Sequence, residues 1–477
     1  MKRRLAALSI ACVVIAAACS RDEAGNESTE STEDAEGGGA AGLVVGDTFG
    51  SIDFPCGENE EGGEVADAPE DEIQGVTADS IKVGTFADPG FEAAPGVFQE
   101  MFDLAEAFVE ECNAHGGVNG KQLDLTLRDS KLFEYLPRVE EACGEDFAVV
   151  GGGAAFDENG AQMLTDCGLV SFPGFVVSAN ASLADNVVLA LPNVPEVKPG
   201  HHLAQLLEEL EEDGAGTGLD VEAVTQNAGI LTGDIQGGVN FADQSVKSAE
   251  ELGFEFVYNA TYNIAGEANW SPFVSAMQNA GVELLNFVGV PDYFVQLQEA
   301  MDEFGYAPAI ILQEANFNDA DYATGIEGLN PDTLNLVRSP YWPFARAEEH
   351  EPTRLYLDLI ETYVSDAVPA ELGLQGLSAW LLFATAASEC DRNNDLTRSC
   401  LYDTAKGFEE WTAGGLHAPT NPKESRPSEC GLIFEVKDGT IDLWRPQGDT
   451  PDDAYFCDPD SVIEIQGDYG EGAKRQT

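Results

Sequence analysis

The chain has 477 residues, enough for two or three domains at roughly 150 residues each, and its 43% hydrophobic content supports a large core. Acids outnumber bases 86 to 23, a net charge of −63. Nucleic acid and anionic lipid surfaces are excluded as partners, because both are bound through cationic patches.

Lys2, Arg3 and Arg4 precede an apolar stretch, Leu5 to Ala18, that is short for a membrane span and ends in Ala16-Ala17-Ala18 before Cys19. This resembles the bacterial lipoprotein signal, although the pattern usually has Leu where Ala16 stands. The resemblance implies removal of residues 1–18, lipidation of Cys19, and an extracytoplasmic protein held to the bacterial cell membrane by that anchor only. Residues 19–77 read as an acidic, partly disordered tether. Within it, Phe54-Pro55-Cys56 is a candidate for attachment to the body.

From Ile73 onward, strand and helix patterns alternate. Ile81–Phe86 reads as a strand, and Val97, Met101, Leu104, Ala105, Phe108 and Cys112 form one helical stripe. Leu123, Leu125 and Leu127 then alternate with polar residues. A helix over 136–145, a buried strand over 147–151, a helix over 157–167 and a short strand over 169–172 complete a first series. A second series starts near Gly229, with strands at 230–232, 254–259, 283–288 and 309–312 and helices at 238–252, 270–280 and 292–304. Helices near 353–365, 376–389 and 400–411 follow, then a hairpin around Asp438-Gly439. Such alternation predicts α/β layers: two Rossmann-like lobes with parallel sheets joined by a multi-crossing hinge. Lobe 1 is expected over 78–197 plus 338–429, and lobe 2 over 198–337 plus 430–460. Residues 461–477 are read as a tail.

The segment Asn113-Ala-His-Gly-Gly-Val-Asn-Gly-Lys121, followed by an alternating strand and Arg128-Asp129, resembles the "NAxGGxNGR … D" stretch of extracytoplasmic solute-binding proteins. The group is the branched-chain amino acid type of ABC importer, with the type I periplasmic-binding fold. The resemblance covers about 78–457. It implies a small-molecule solute such as an amino acid or a related amine, amide or carboxylate, an ABC permease as partner, no cofactor and no enzymatic activity. A ligand-sensing module of the same fold is the alternative, and adjacent kinase or regulator genes would mark it.

In open α/β sheets ligands sit beyond the carboxyl ends of the strands. The loops there carry Asp88 and Phe91, then Ala154, Phe156 and neighbouring glycines, then Phe175, Val177 and Ser178. The helix after Asp157 offers amides to an anion. Relatives hold an α-carboxylate with Ser and Thr at these loops, whereas this chain has Ala154, Ala155 and Phe156. Phe91, Phe156 and Phe175 form either an apolar pocket wall or hinge packing. In the second lobe the candidates are Asp234, Gln236, Asp292 and Tyr293, although Asp234 and Asp292 equally fit helix caps. Glu314 matches the family acid that meets a substrate ammonium, and is otherwise a solvated strand-end acid.

Apart from Cys12 and Cys19, eight cysteines remain. Neighbouring positions and elimination give Cys112–Cys143, Cys390–Cys400, Cys430–Cys457 and Cys56–Cys167 as the expected pairs. No metal-ligand spacing is present among cysteines or the five histidines. Gly376-Leu377-Ser378-Ala379 lacks the second glycine of a nucleophile elbow.

Overall fold

Ser80–Ala87 forms β1, whose burial alternates at first and becomes continuous toward its carboxyl end, as expected of a strand covered on both faces. The computed structural model describes residues 43–58, 63–212 and 218–475. After β1 come α1 (Gln99–Ala114), β2 (Gln122–Asp129), α2 (Tyr135–Glu145), β3 (Ala148–Val150), α3 (Glu158–Asp166) and β4 (Val170–Phe172). These strands are parallel, in the order β2-β1-β3-β4. Right-handed crossovers then place α1, which leads outward to β2, on one face. They place α2, which leads back across β1 to β3, and α3, which continues the same way to β4, on the other.

That geometry corrects two of the expected disulfides. Cys112, on α1, bonds Cys56 rather than Cys143, and Cys143, on α2, bonds Cys167 at the end of α3 rather than leaving Cys167 for Cys56. The expected Cys112–Cys143 pair would have had to pass through the sheet. The other bonds are Cys390–Cys400 and Cys430–Cys457.

Cys56 belongs to a segment that packs on α1. A small hairpin pairs Thr48–Phe49 with Ile52–Asp53, Val45 and Phe49 are buried, and the Glu111 carboxylate accepts from the Val45 amide at 2.7 Å. The segment from Val45 to Cys56, within the stretch read as a partly disordered tether, is therefore attached to the body. The signal peptide, Cys19 and the tether up to residue 42 lie outside the described residues.

The Asn113–Lys121 turn has a structural task. Asn113 accepts from the Leu123 amide at 2.7 Å and donates to the Leu123 carbonyl at 3.0 Å. Gly117, at φ +83°, has no room for a side chain because the Lys121 carbonyl lies 2.1 Å from where a Cβ would stand. Lys121 forms a buried ion pair with Asp391 at 3.3 Å, and Asn119 donates to the Ser388 carbonyl at 2.8 Å. The turn thus anchors a long helix from much later in the chain.

The second series begins with β5 (Val197–Pro199) and α4 (His201–Glu212). It continues through β6 (Ala228–Gly233), α5 (Gln236–Glu251), β7 (Phe256–Tyr262), α6 (Ser271–Ala280), β8 (Leu284–Val288), α7 (Pro291–Phe304), β9 (Ile310–Gln313) and β10 (Leu334–Ser339). Helices α8 (Glu351–Tyr363), α9 (Glu371–Arg392) and α10 (Arg398–Lys406) return to the first sheet. β11 (Cys430–Lys437), β12 (Thr440–Leu443) and β13 (Phe456–Cys457) rejoin the second. Its order is β12-β11-β10-β9-β8-β6-β7, with β13 on β11 and with β6 to β10 parallel. Finally β14 (Val462–Glu464) pairs antiparallel with β5, so the expected tail braces a crossing between the lobes. Asp438 and Gly439 both have positive φ, +50° and +73°, as a type I′ hairpin requires. Among the described residues no helix is long and apolar enough to cross a membrane.

Buried Arg398 ties α10 to the first sheet by donating to the carbonyls of Phe147 at 3.1 Å, Cys167 at 3.1 Å and Asp146 at 2.6 Å. Arg398→Met keeps the apolar stem but strands these acceptors. It is expected to lower the unfolding free energy by roughly 3 kcal/mol or more in chemical denaturation.

Candidate functional site

Each sheet reverses its strand order once, between β1 and β3 and between β6 and β8, and such switch points open crevices at the strands' carboxyl ends. The loops from all four ends line one cleft of about 910 Å³ between the lobes. Its wall is mostly apolar, with Phe91, Phe98, Leu132, Phe175, Val177 and Ile264 prominent. Phe91, Ala94, Val97, Leu132 and Ala155 of the first lobe share a buried cluster with Tyr262, Trp270 and Phe287 of the second. Val177 meets Gly237 so closely that a Cβ there would stand 2.5 Å from Val177 Cγ1.

The first lobe's rim is organised by buried carboxylates. Asp88 accepts from the Leu132 amide at 2.8 Å and the Ala155 amide at 3.1 Å. Burial pushes its pKa up to about 6, while those bonds favour the charged form. Asp157 accepts from the Val177 amide at 2.7 Å and the Ser178 amide at 3.0 Å, and burial likewise raises it to about 6. Strand-end amides that suit a ligand carboxylate are thus occupied by the protein's own acids. Leu132, at φ +68°, is held in a left-handed conformation that costs a non-glycine residue about 1–2 kcal/mol; the Asp88 bond offsets that strain.

Among the residues singled out from sequence, Phe91, Phe175, Val177, Asp292 and Glu314 line the cleft. Asp88 lies behind the rim as its internal clamp. Ala154 is buried with Phe86 and Tyr135, and Phe156 packs on exposed Phe133 with centroids 5.3 Å apart. Ser178 caps a short helix by accepting from the Ala181 amide at 3.2 Å. Asp234 accepts from the Ile264 amide at 2.9 Å, Gln236 donates to Asn240 at 2.9 Å, and Tyr293 is buried among aromatic rings. These do not line the cleft.

Glu314 has a partner from within the chain. Its register neighbour Arg338 donates to it through Nε at 2.7 Å and also through Nη2. Both line the cleft, which therefore presents a neutralised ion pair where an unpaired acid was expected. Sequence reasoning passed over Arg338, as it did Thr232, Gly238, Glu100, Asp103 and Asp319, which also line the cleft. Burial pushes Glu100 up to about 8, with Asp319 and Asp103 adding repulsion. The closing of strand 230–232 by Thr and the Gly-Gly pair after it were the available signals for the Thr232 region.

Among the described residues no group of His, Cys, Asp and Glu could hold a metal ion. Ser378 bonds His417 Nε2 at 2.8 Å, but both are sealed in the core and burial lowers His417 to about 4.

A family description, periplasmic binding protein, matches residues 80–440. The chain belongs to the periplasmic binding protein family. Members bind solutes and are not enzymes, and this one is a solute-binding protein of the ABC transporter type. Family membership implies an extracytoplasmic location. No curated protein matches the sequence. Among solved structures, a fatty acid ABC transporter substrate-binding protein from Thermomonospora curvata is similar with a TM-score of 0.65 and 13% identity, over 82% of this chain and 95% of that one. A leucine-binding protein from Thermotoga maritima aligns with a TM-score of 0.61 and 15% identity, over 80% of this chain and all of the other. A branched-chain amino acid transporter substrate-binding protein from Streptococcus pneumoniae, in complex with isoleucine, aligns at 0.60 and 13%, over 77% and 100%. These likenesses support the type I fold.

Two measurements probe this periplasmic binding protein's cleft. Gly237→Ala adds a methyl against Val177 while suiting the helix. It is expected to keep the melting temperature, to enlarge the radius of gyration in X-ray scattering and to weaken solute binding roughly tenfold. The second concerns Glu371, whose Oε2 accepts from Asn318 at 3.0 Å across the lobe junction and which burial raises to about 8. Asp88, Asp157, Glu100 and Glu371 all have folded-state pKa values above their unfolded ones. Their stabilisation is complete below about pH 4 and is lost as pH rises through about 6 and then 8. Melting temperatures are therefore expected to fall between pH 4.5 and 8.5, and Glu371→Gln to flatten the upper part of that slope.

Proposed function

We propose that this protein is a lipid-anchored extracytoplasmic receptor, tethered through Cys19, that captures a largely apolar small solute between its lobes and delivers it to an ABC importer. The observation that carries this reading is the cleft of about 910 Å³ with a mostly apolar wall. The first lobe's strand-end amides are already taken by Asp88 and Asp157. A free amino acid needs carboxylate and ammonium partners together. Here Ala154 and Ala155 stand where relatives have hydroxyls, and Glu314 is engaged by Arg338. The printed description of the Thermomonospora curvata neighbour, a fatty acid binder, supports an apolar solute, and those of the leucine and isoleucine binders support a branched amino acid. The wall chemistry favours the former class. Solute binding would stabilise the closed arrangement in which Val177 meets Gly237, and the permease would read that state.

Mass spectrometry of solute co-purified with the protein is expected to find a molecule whose surface is mainly hydrocarbon. In thermal-shift titrations, leucine and isoleucine are expected to raise the melting temperature less than apolar compounds of similar or larger size. A larger shift with either amino acid would overturn the apolar assignment.

A further inference from the structure

We infer that the amino-terminal end of α5, in the second lobe, is an anion subsite that takes the carboxylate of an otherwise apolar solute. The inference rests on the interlobe cleft being the solute site. Three observations meet at this corner. Helix α5 spans 16 residues and begins at a strand-order switch point, with no side-chain cap and no acid in its first turn. Among the described residues, no acceptor stands against the amides of Gly237 and Gly238, both of which are buried. The Thr232 hydroxyl is the independent sign of a ligand. Thr232 is 1% exposed, its Oγ1 has no hydrogen-bond partner, and it lines the cleft. It also faces the same turn, since a Cβ at Gly238 would lie 3.2 Å from Thr232 Oγ1. A buried hydroxyl left unpaired costs about 1–3 kcal/mol, a cost that a ligand acceptor removes.

Several other donors around the cleft are engaged. Asp88 and Asp157 occupy the first lobe's rim amides, and Arg338 is engaged by Glu314. The helices α1, α7 and α9, whose first turns also border the cleft, carry Glu100, Asp292 and Glu371 there, so each already has a carboxyl group of the chain's own in its first turn. Helix α5 instead offers free amides, a hydroxyl and the partial positive charge of its dipole, which together suit the two oxygens of a carboxylate. One turn on along the same face, Phe241 lies under Lys198 Nζ, 5.0 Å from its ring centroid, and Lys198 donates to cleft residue Asn193 at 2.5 Å. Lys198 thus backs this corner, its pKa lowered by burial to about 7. The solute's hydrocarbon part then extends from Gly237–Gly238 toward the apolar wall of Phe98 and Phe175.

The test compares octanoate, octanamide and octylamine by calorimetry on the purified protein, the Thr232→Val variant and the Gln236→Glu variant. Val replaces an unpartnered hydroxyl, so Thr232→Val is expected to fold and melt at or above the parent temperature. Gln236 is exposed, and Glu there suits a helix first turn while opposing an anion. Octanoate is expected to bind at least tenfold more tightly than octanamide. Each substitution is expected to remove most of that difference by weakening octanoate binding far more than octanamide binding. Equal binding of octanoate and octanamide, a preference for octylamine, or undiminished octanoate affinity in Thr232→Val would each overturn the subsite while leaving the apolar receptor standing. Failure of all three compounds to bind would overturn both.

Discussion

The first lobe's rim depends on Asp88, which joins the loops after β1, β2 and β3 into one piece by accepting from Leu132 and Ala155. A buried carboxylate is expensive to desolvate, and its persistence requires that both oxygens find donors. The two amides satisfy it, and in doing so they hold Leu132 in a strained backbone conformation with its side chain in the cleft wall. Asp157 repeats the arrangement one loop further on, fixing Val177 at the place where the two lobes touch. The same bonds that shape the wall remove its capacity to bind anions, so shape and ligand chemistry are linked through a handful of hydrogen bonds.

The second lobe resolves its charges differently. Glu314 and Arg338 sit at adjacent strand ends because Gln313 pairs in register with Val337. Parallel neighbours about 5 Å apart bring the side chains following them together. The pair neutralises itself at the cleft, and specificity is left to uncharged donors. In a chain with 86 acids against 23 bases, holding a free cation at a binding surface would be difficult, and a helix terminus supplies positive potential without one.

Much of the architecture was legible because its elements carry strong periods. The stripe from Val97 to Cys112 and the Leu123–Leu127 alternation became α1 and β2, and Asp438-Gly439 became a tight turn. The hinge strands β5 and β14 were not legible, being three residues each and without any period. The disulfide partners of Cys112 and Cys143 depended on which sheet face each helix covers, which follows from strand order rather than local spacing. At the site, the strand-end loops were found from the fold class, but individual roles were not. Asp88 and Asp234 look alike as acids after strands, yet one is a buried clamp and the other an exposed turn acceptor. Thr232 reads as an ordinary strand residue until its hydroxyl is seen to lack a partner.

Three of the four disulfides, Cys56–Cys112, Cys143–Cys167 and Cys390–Cys400, cross-link the first lobe and its helices, and Cys430–Cys457 staples the second sheet to itself. None spans the connecting segments. Oxidation outside the cytoplasm therefore hardens each half without locking one against the other. The parts are covalently toughened, while the crossings between them carry no covalent lock.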